Sequence, residues 1–268
     1  MVIVKLKKFK RQQFTNLTNS QWKVIEKLVH TERKRKHSLR KIVNAMLKIT
    51  RTGTQWRNLE KSYPAWQVVY YYFRKWQRDG TYALILGQLV EQERQRQGRL
   101  AQASSSAVDS QSVKKGSLVS LETGIDGGKL VNGRKRHLAV DSLGLPLAIE
   151  VGSANIHDGL AGKELLWQLD KVSDRLELIR ADSAYKGEFS VCADYYQWRV
   201  EITQKPESQQ GFVPQTGRWQ RGRPAVERSF AWFNFFRRLS KDYEKTIQSS
   251  LAFIHLAFID IILARIPN

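Results

Sequence analysis

The sequence predicts an α/β protein in which a small all-α N-terminal region, residues 1–101, precedes a mixed-sheet domain, residues 102–268. Three observations carry that prediction. Apolar residues recur at helical spacing through residues 15–100. A small, polar stretch, QASSS at 102–106, then interrupts the pattern as a linker. Beyond it, short apolar runs of strand length alternate with amphipathic ones, the pattern of an α/β unit.

The elements follow in order. Leu17–Trp22 offers caps ahead of a 3.6-period run, Trp22, Ile25, Leu28 and Val29. A second run joins Leu39, Ile42, Val43, Met46, Leu47 and Ile49, with Ser38 as N-cap and Gly53 at its end. A third helix starts near Pro64, since proline suits a first turn, and reaches Gly80. A fourth spans Thr81–Arg96. In the second domain Ala107–Val113 alternates weakly as a strand, and GIDGGKLVNG at 124–133 reads as a Gly-rich loop. Arg136–Val140 and Leu147–Val151 make a hairpin through the turn-rich Asp141–Pro146. His157–Lys171 is helical, Leu176–Ala181 a strand, Gly187–Trp198 a helix and Val200–Thr203 a strand. After a loop with Pro206, Gly211, Pro214 and Gly217 come a helix from Pro224 to Ser240 and a last apolar helix, Ser249–Ala264.

Charge points to a partner. The formal net charge is +20 and the pI about 10.1. Such a charge repels itself in a compact fold unless a polyanion offsets it. Nucleic acid fits, because each neutralised phosphate releases counterions. An anionic membrane surface is the rival, but no apolar run is long enough to span a bilayer. The N-terminus, MVIVKLKKFKR, places basic residues after a short apolar stretch, the wrong order for a secretory signal. A single cysteine, Cys192, excludes an intrachain disulfide and a cysteine-rich zinc site, and suits a reducing cytoplasm. The basic runs Lys5–Arg11 and Arg33–Lys41 are the expected source of much of the DNA affinity.

Three acids occupy positions suited to metal chemistry. Asp109 sits on or at the end of the first strand of the second domain. Asp182 directly follows the strand LELIRA, and active sites of open α/β sheets lie at strand carboxyl ends. Glu227 lies in the first turn of the helix that starts near Pro224. The separations are 182 − 109 = 73 and 227 − 182 = 45 residues. Phosphoryl transfer uses carboxylates that hold two divalent ions about 3.5–4 Å apart, and magnesium prefers such oxygen ligands. Each acid also has a purely structural role open to it: Asp109 as a strand-end cap, Asp182 as the cap of the next helix, Glu227 as a partner of the helix dipole. At about 100° per residue, Arg223, Ala231, Asn234 and Arg238 fall within roughly 40° of Glu227. That polar stripe interrupts a helix rich in aromatics, and suits an ion at Glu227 and DNA backbone at Arg223 or Arg238.

Long segments add a resemblance. AVDSQSV (107–113), DGGKLVNGRKRHLAVDSLGLPLAIEV (126–151), ADSAY (181–185) and RPAVERSFAWFNFFRRLSKDYE (223–244) resemble the catalytic segments of transposases of the insertion sequence five family. LTNSQWKVIEKLV, RTGTQWRNL and AWQVVYYYFRKWQRDG are similar to that family's leading domain, so the likeness covers about residues 17–260. It implies a ribonuclease-H-like catalytic domain after a helical DNA-binding one. It implies an Asp-Asp-Glu triad at Asp109, Asp182 and Glu227, serving as both catalytic and metal-binding residues. It implies two Mg²⁺ ions, with Mn²⁺ able to substitute. The partner it implies is double-stranded DNA, both terminal inverted repeats and target, and a homodimer or larger assembly in the bacterial cytoplasm, at the nucleoid, is expected to bind it. The activity implied is cleavage at the element ends and transfer of the 3′-hydroxyl into target DNA. A DNA-binding protein with a vestigial catalytic domain, and a nuclease without strand transfer, are the alternatives. The family signature runs Tyr, two residues, Arg, three residues, Glu, six residues, Lys. Arg223 and Glu227 match it, but Gln220 stands for the tyrosine and Asn234 for the lysine, with Trp219 and Arg237 or Arg238 nearby.

Other residues carry smaller expectations. Arg134, Lys135 and Arg136, on the hairpin with His137, are expected to contact DNA phosphate. His157 reads either as a site-edge residue or as incidental to an N-cap by Asp158. Asp126 and Asp141 shape Gly-rich turns. Tyr70–Trp76 reads as core plus solvated face, with base stacking as the alternative. Cys192 reads as a buried small hydrophobe.

Overall fold

The computed structural model describes residues 14–29, 36–203 and 223–266. Lys5–Arg11, residues 33–35, Trp219 and Gln220 lie outside the described residues, as does the side chain of Arg223. The chain forms two units, Met1–Leu89 with Phe235–Leu239 and Ala252–Asn268, and Val90–Asn234 with Ser240–Leu251.

The first unit is helical. Helix α1 (Asn19–Glu26) starts at a capping box in which Thr18 and Gln21 satisfy each other's backbone N–H groups. Helix α2 (Leu39–Thr52) ends at Gly53 in the left-handed conformation, φ 74°. Ser38 is its N-cap by position but makes no side-chain capping bond. Helices α3 (Trp66–Arg78) and α4 (Thr81–Arg96) follow. Val69, Phe73 and Trp76 of α3 are buried while Tyr70 and Tyr71 are exposed, so the aromatic tract is core with a solvated face. The last helix, α9 (Ile247–Leu263), returns to this unit. Phe253 packs against Phe73 with the rings tilted, 4.9 Å between ring centres, and Arg51 pairs with Asp260 at 2.7 Å.

The expected boundary at 101/102 differs from this division, which falls inside α4 and again inside α9. The reason is α9 itself. Its residues 252–254, 256–259 and 261–263 are all buried, so it is apolar nearly all round and has to be enclosed.

The second unit is built on a six-stranded sheet. The strands are β1 (Ser105–Lys114), β2 (Gly124–Asp126), β3 (Val131–Val140), β4 (Pro146–Ser153), β5 (Leu178–Asp182) and β6 (Arg199–Thr203). β1 is central. It pairs antiparallel with β3 on one side and parallel with β5 on the other, and β6 extends the parallel half. β3 gives its other edge to β4, with the short β2 pairing beside it. β2 and the start of β3 lie within residues 124–133, where the glycines predict a loop. Helices α5 (Asp158–Ala161), α6 (Lys163–Val172) and α7 (Glu188–Tyr195) supply one cover. Val108, Ala139, Ile179 and Ala181 meet Leu165, Leu169, Phe189 and Ala193 in a single apolar cluster on that side. Helix α8 (Arg223–Trp232) packs on β1 and β3. Cys192 is only half-buried.

Glu150 on β4 is a titrating weak point. Burial, then the charge of Glu164, push its carboxyl up to about 7. A raised folded-state value means stability is full below the unfolded value and falls as pH rises through the folded one. Glu150→Gln should therefore add about 1 kcal/mol at pH 8, allowing for partial solvent screening, and nothing at pH 4. Urea unfolding at the two pH values checks this. Equal changes at both would refute it.

Candidate active site

The central pair of strands sets the site. Ser105, Ser106 and Ala107 of β1 stand opposite Leu178, Ile179 and Arg180 of β5. That constant offset of 73 (178 − 105) is the separation of Asp109 and Asp182. Continued two residues beyond the last pair, Ala107 with Arg180, that offset sets the two acids level on adjacent parallel strands. Side chains alternate along a strand, and Val108 and Ala181 face the α6–α7 core. Asp109 and Asp182 therefore point to the other face, where α8 lies. They line one small pocket with Ala107, Arg180, Thr203 and Val226 of α8.

Each acid is held. Asp109 Oδ1 accepts a hydrogen bond from the Ser110 N–H at 2.8 Å. Asp182 Oδ1 accepts from the Ala184 N–H at 3.0 Å, capping the 3₁₀ turn Ser183–Tyr185. The structural role foreseen for Asp182 is thus met by one oxygen. Tyr185 lies buried beneath, donor or acceptor to His137 Nδ1 at 3.1 Å. Burial, then the charges of Asp158, Asp109 and Asp182, push its phenol well up.

Glu227 lines a neighbouring open cavity of about 450 Å³ with Gln111, Lys129, Phe230 and Asn234. Among the described residues, no three His, Cys, Asp or Glu side chains are gathered closely enough to hold an ion. The structure brings Asp109 and Asp182 together and sets Glu227 one helix position from Val226, which lines their pocket.

Docking of α8 depends on the β3–β4 turn. Ser229 Oγ donates to the Gly144 carbonyl at 2.8 Å. Gly144 has φ +79°, and a Cβ there would meet Ser229 Oγ at 2.9 Å and the Ala225 carbonyl at 3.2 Å. Gly144→Ala should cost about 2 kcal/mol in strain and contact. A melting curve unchanged from wild type would contradict that.

Several expectations need correction. The helix from Pro224 stops at Trp232, and 3₁₀ turns Phe233–Phe235 and Arg237–Leu239 follow. Phe230, Phe233, Phe236 and Leu239 are all buried, a spacing of three that matches the 3₁₀ period rather than the α period. Arg238 is therefore not on a helical stripe with Glu227; its guanidinium lies 4.9 Å from the ring of Phe253 in the helical unit.

Arg134, Lys135 and Arg136 are not a DNA-facing patch: they are 0%, 8% and 1% exposed. Arg134 bonds Asp242 and the carbonyls of Leu121, Glu122, Glu244 and Lys245. Lys135 pairs with Asp158 at 2.8 Å and with Asp126 at 3.7 Å. Arg136 lies over Phe233. His137 is buried against Tyr185, not set toward phosphate. His157, not Asp158, is the N-cap, its Nδ1 accepting from the Gly159 N–H at 3.2 Å. Asp158 is the first residue of α5 and accepts from Ser110 Oγ at 2.8 Å. Asp126 and Asp141 do shape their turns, accepting from Gly128 and Lys129, and from Leu143 and Leu145. Asp141 also pairs with the buried Arg94, a partner distant in sequence that local pattern does not reveal.

The sheet, with β4, β3, β1 and the short β2 antiparallel, continued by the parallel β5 and β6 and covered on both faces, defines a ribonuclease-H-like domain. Comparison with family models agrees. Residues 17–86 match "Putative transposase of IS4/5 family", and residues 101–259 match "Transposase DDE domain". The second match spans well over half of the chain, so the chain belongs to the Asp-Asp-Glu transposases, of the IS4/5 type. That family acts on DNA through polynucleotidyl-transferase chemistry dependent on divalent metal. No curated protein matches the chain. Among the described residues no helix is long and apolar enough to cross a membrane.

Proposed function

We propose that this chain cleaves DNA at the ends of an insertion sequence and joins the freed 3′-hydroxyl to target DNA, with Asp109, Asp182 and Glu227 as the catalytic acids. The observation that carries this reading is the pocket that Asp109 and Asp182 share with Val226, on the face covered by the helix of Glu227. The donor set is all carboxylate oxygen, without thiol or imidazole, which suits Mg²⁺, with Mn²⁺ as a substitute. Bound there, two such ions would activate the attacking oxygen and stabilise the leaving one.

The chain's own contribution is positional. Backbone N–H groups of Ser110 and Ala184 fix one oxygen of each aspartate. α8, anchored through Ser229 to Gly144, presents Glu227 from the sheet's covered face. Rigid strands hold reacting groups more closely than loops do, and such placement lowers the barrier by removing reorganisation. Joining requires two element ends at once, so the active form is a dimer or larger assembly on nucleoid DNA.

The test is incubation of the protein with magnesium and labelled DNA carrying the element ends. Nicked and joined products are both expected. Nicking alone would favour a nuclease, and neither product, with DNA still bound, a vestigial domain.

A further inference from the structure

Three of the cations that the sequence points to, Arg134, Lys135 and Arg136, are enclosed in the sheet. A different one is placed beside Glu227. Lys129, in the turn between β2 and β3, lines the same open cavity of about 450 Å³ as Glu227, Gln111, Ser112, Phe230 and Asn234. Its side chain has no carboxylate partner among the described residues, whereas Lys135 is held by Asp126 and Asp158. Asn234, standing where the signature has lysine, lines this cavity too and brings no charge to it.

The position of Lys129 is built, not incidental. Asp126 is 6% exposed. Its Oδ1 accepts from the N–H groups of Gly128 and Lys129 at 3.0 and 3.1 Å. Its Oδ2 accepts from Ser112 Oγ on β1 and faces Lys135 at 3.7 Å. Burial works against the charge, but Ser112, the turn N–H groups and Lys135 outweigh it and bring the Asp126 carboxyl down to about 2. The Asp126 carboxylate thus ties the turn to the strand of Asp109, with Lys129 carried at its tip.

We propose that this cavity is a phosphodiester subsite, in which Lys129 binds a backbone phosphate of the DNA strand that enters the active site. A lysine meets phosphate as a point charge. Gln111 and Asn234 add neutral hydrogen-bonding groups, and Phe230 gives an apolar wall for the sugar. Lys129 is a substrate-positioning residue, and the proposal rests on the acids being those named above.

The experiment uses the full chain. Affinity for a fluorescent duplex is measured against salt for the wild type and for Lys129→Ala, Lys129→Arg and Lys171→Ala, each with Asp109→Asn to prevent cleavage. Lys171, against Trp167 on α6, is the control. Lys129→Ala should weaken binding about fivefold to tenfold and reduce the salt slope by about 1. Lys129→Arg should restore most of both, and Lys171→Ala should change neither. In the uninhibited chain, Lys129→Ala should raise KM with kcat little altered. Wild-type affinity and slope in Lys129→Ala would overturn the subsite, as would an equal loss in Lys171→Ala. If Lys129→Ala does not fold, Lys129→Gln decides by the same readings. Failure of the acids is seen separately, as retained cleavage in Asp109→Asn, and leaves the binding result standing.

Discussion

Asp109→Asn, Asp182→Asn and Glu227→Gln should each reduce cleavage and joining by at least about a thousandfold, a barrier increase of ~4 kcal/mol. The amide keeps the shape of the carboxylate and removes the charge that a divalent ion needs. For Asp109 and Asp182 the loss is confined to chemistry, because their hydrogen bonds from Ser110 and Ala184 N–H groups can be kept by an amide oxygen. Melting temperature and DNA affinity should therefore stay near wild type. Asp174→Asn, at an exposed acid ahead of β5, should leave activity within about twofold, or ~0.4 kcal/mol. Gel assays of nicked and joined products with these four variants make the comparison. Strand transfer in magnesium by any of the first three would show that the wrong acids are named.

How the sequence exposes the acids, and hides other parts, has physical reasons. Asp182 ends an apolar strand, and Asp109 interrupts another; period and composition reveal both strands. Their common level does not follow from either strand alone, because register is set by pairing. The run Arg134–Arg136 misleads for a related reason. A basic run reads as surface, yet β3 is an interior strand and its cations are enclosed with partners distant in sequence, Asp242 among them. The three-residue spacing of Phe230, Phe233, Phe236 and Leu239 is present in the sequence, but over so short a run it is hard to tell from the α-helical period. The return of α9 to the helical unit is a long-range contact that local pattern cannot show, although the all-round apolar character of the helix requires some enclosure.

Arg134→Met should cost about 3–5 kcal/mol of stability, because it leaves a buried carboxylate without its cation. Both partners are fully enclosed: the side chains of Arg134 and Asp242 are each 0% exposed, at 3.2 Å. Removal of the guanidinium also releases the carbonyls of Leu121, Glu122, Glu244 and Lys245, which it ties to β3. Asp242 then keeps its bonds from Ser250 Oγ and the Glu244 N–H, and the charge of Arg136 still acts on it. Replacing both charges, Arg134→Met with Asp242→Asn, should recover part of the loss, since the uncompensated buried charge is then gone. Urea unfolding of the two single variants and the double variant gives the coupling. The same proteins separate a structural role from DNA contact. At a temperature where Arg134→Met remains folded, its DNA affinity and salt slope should equal those of wild type. A wild-type unfolding midpoint combined with a reduced salt slope would instead return Arg134 to the DNA-binding surface.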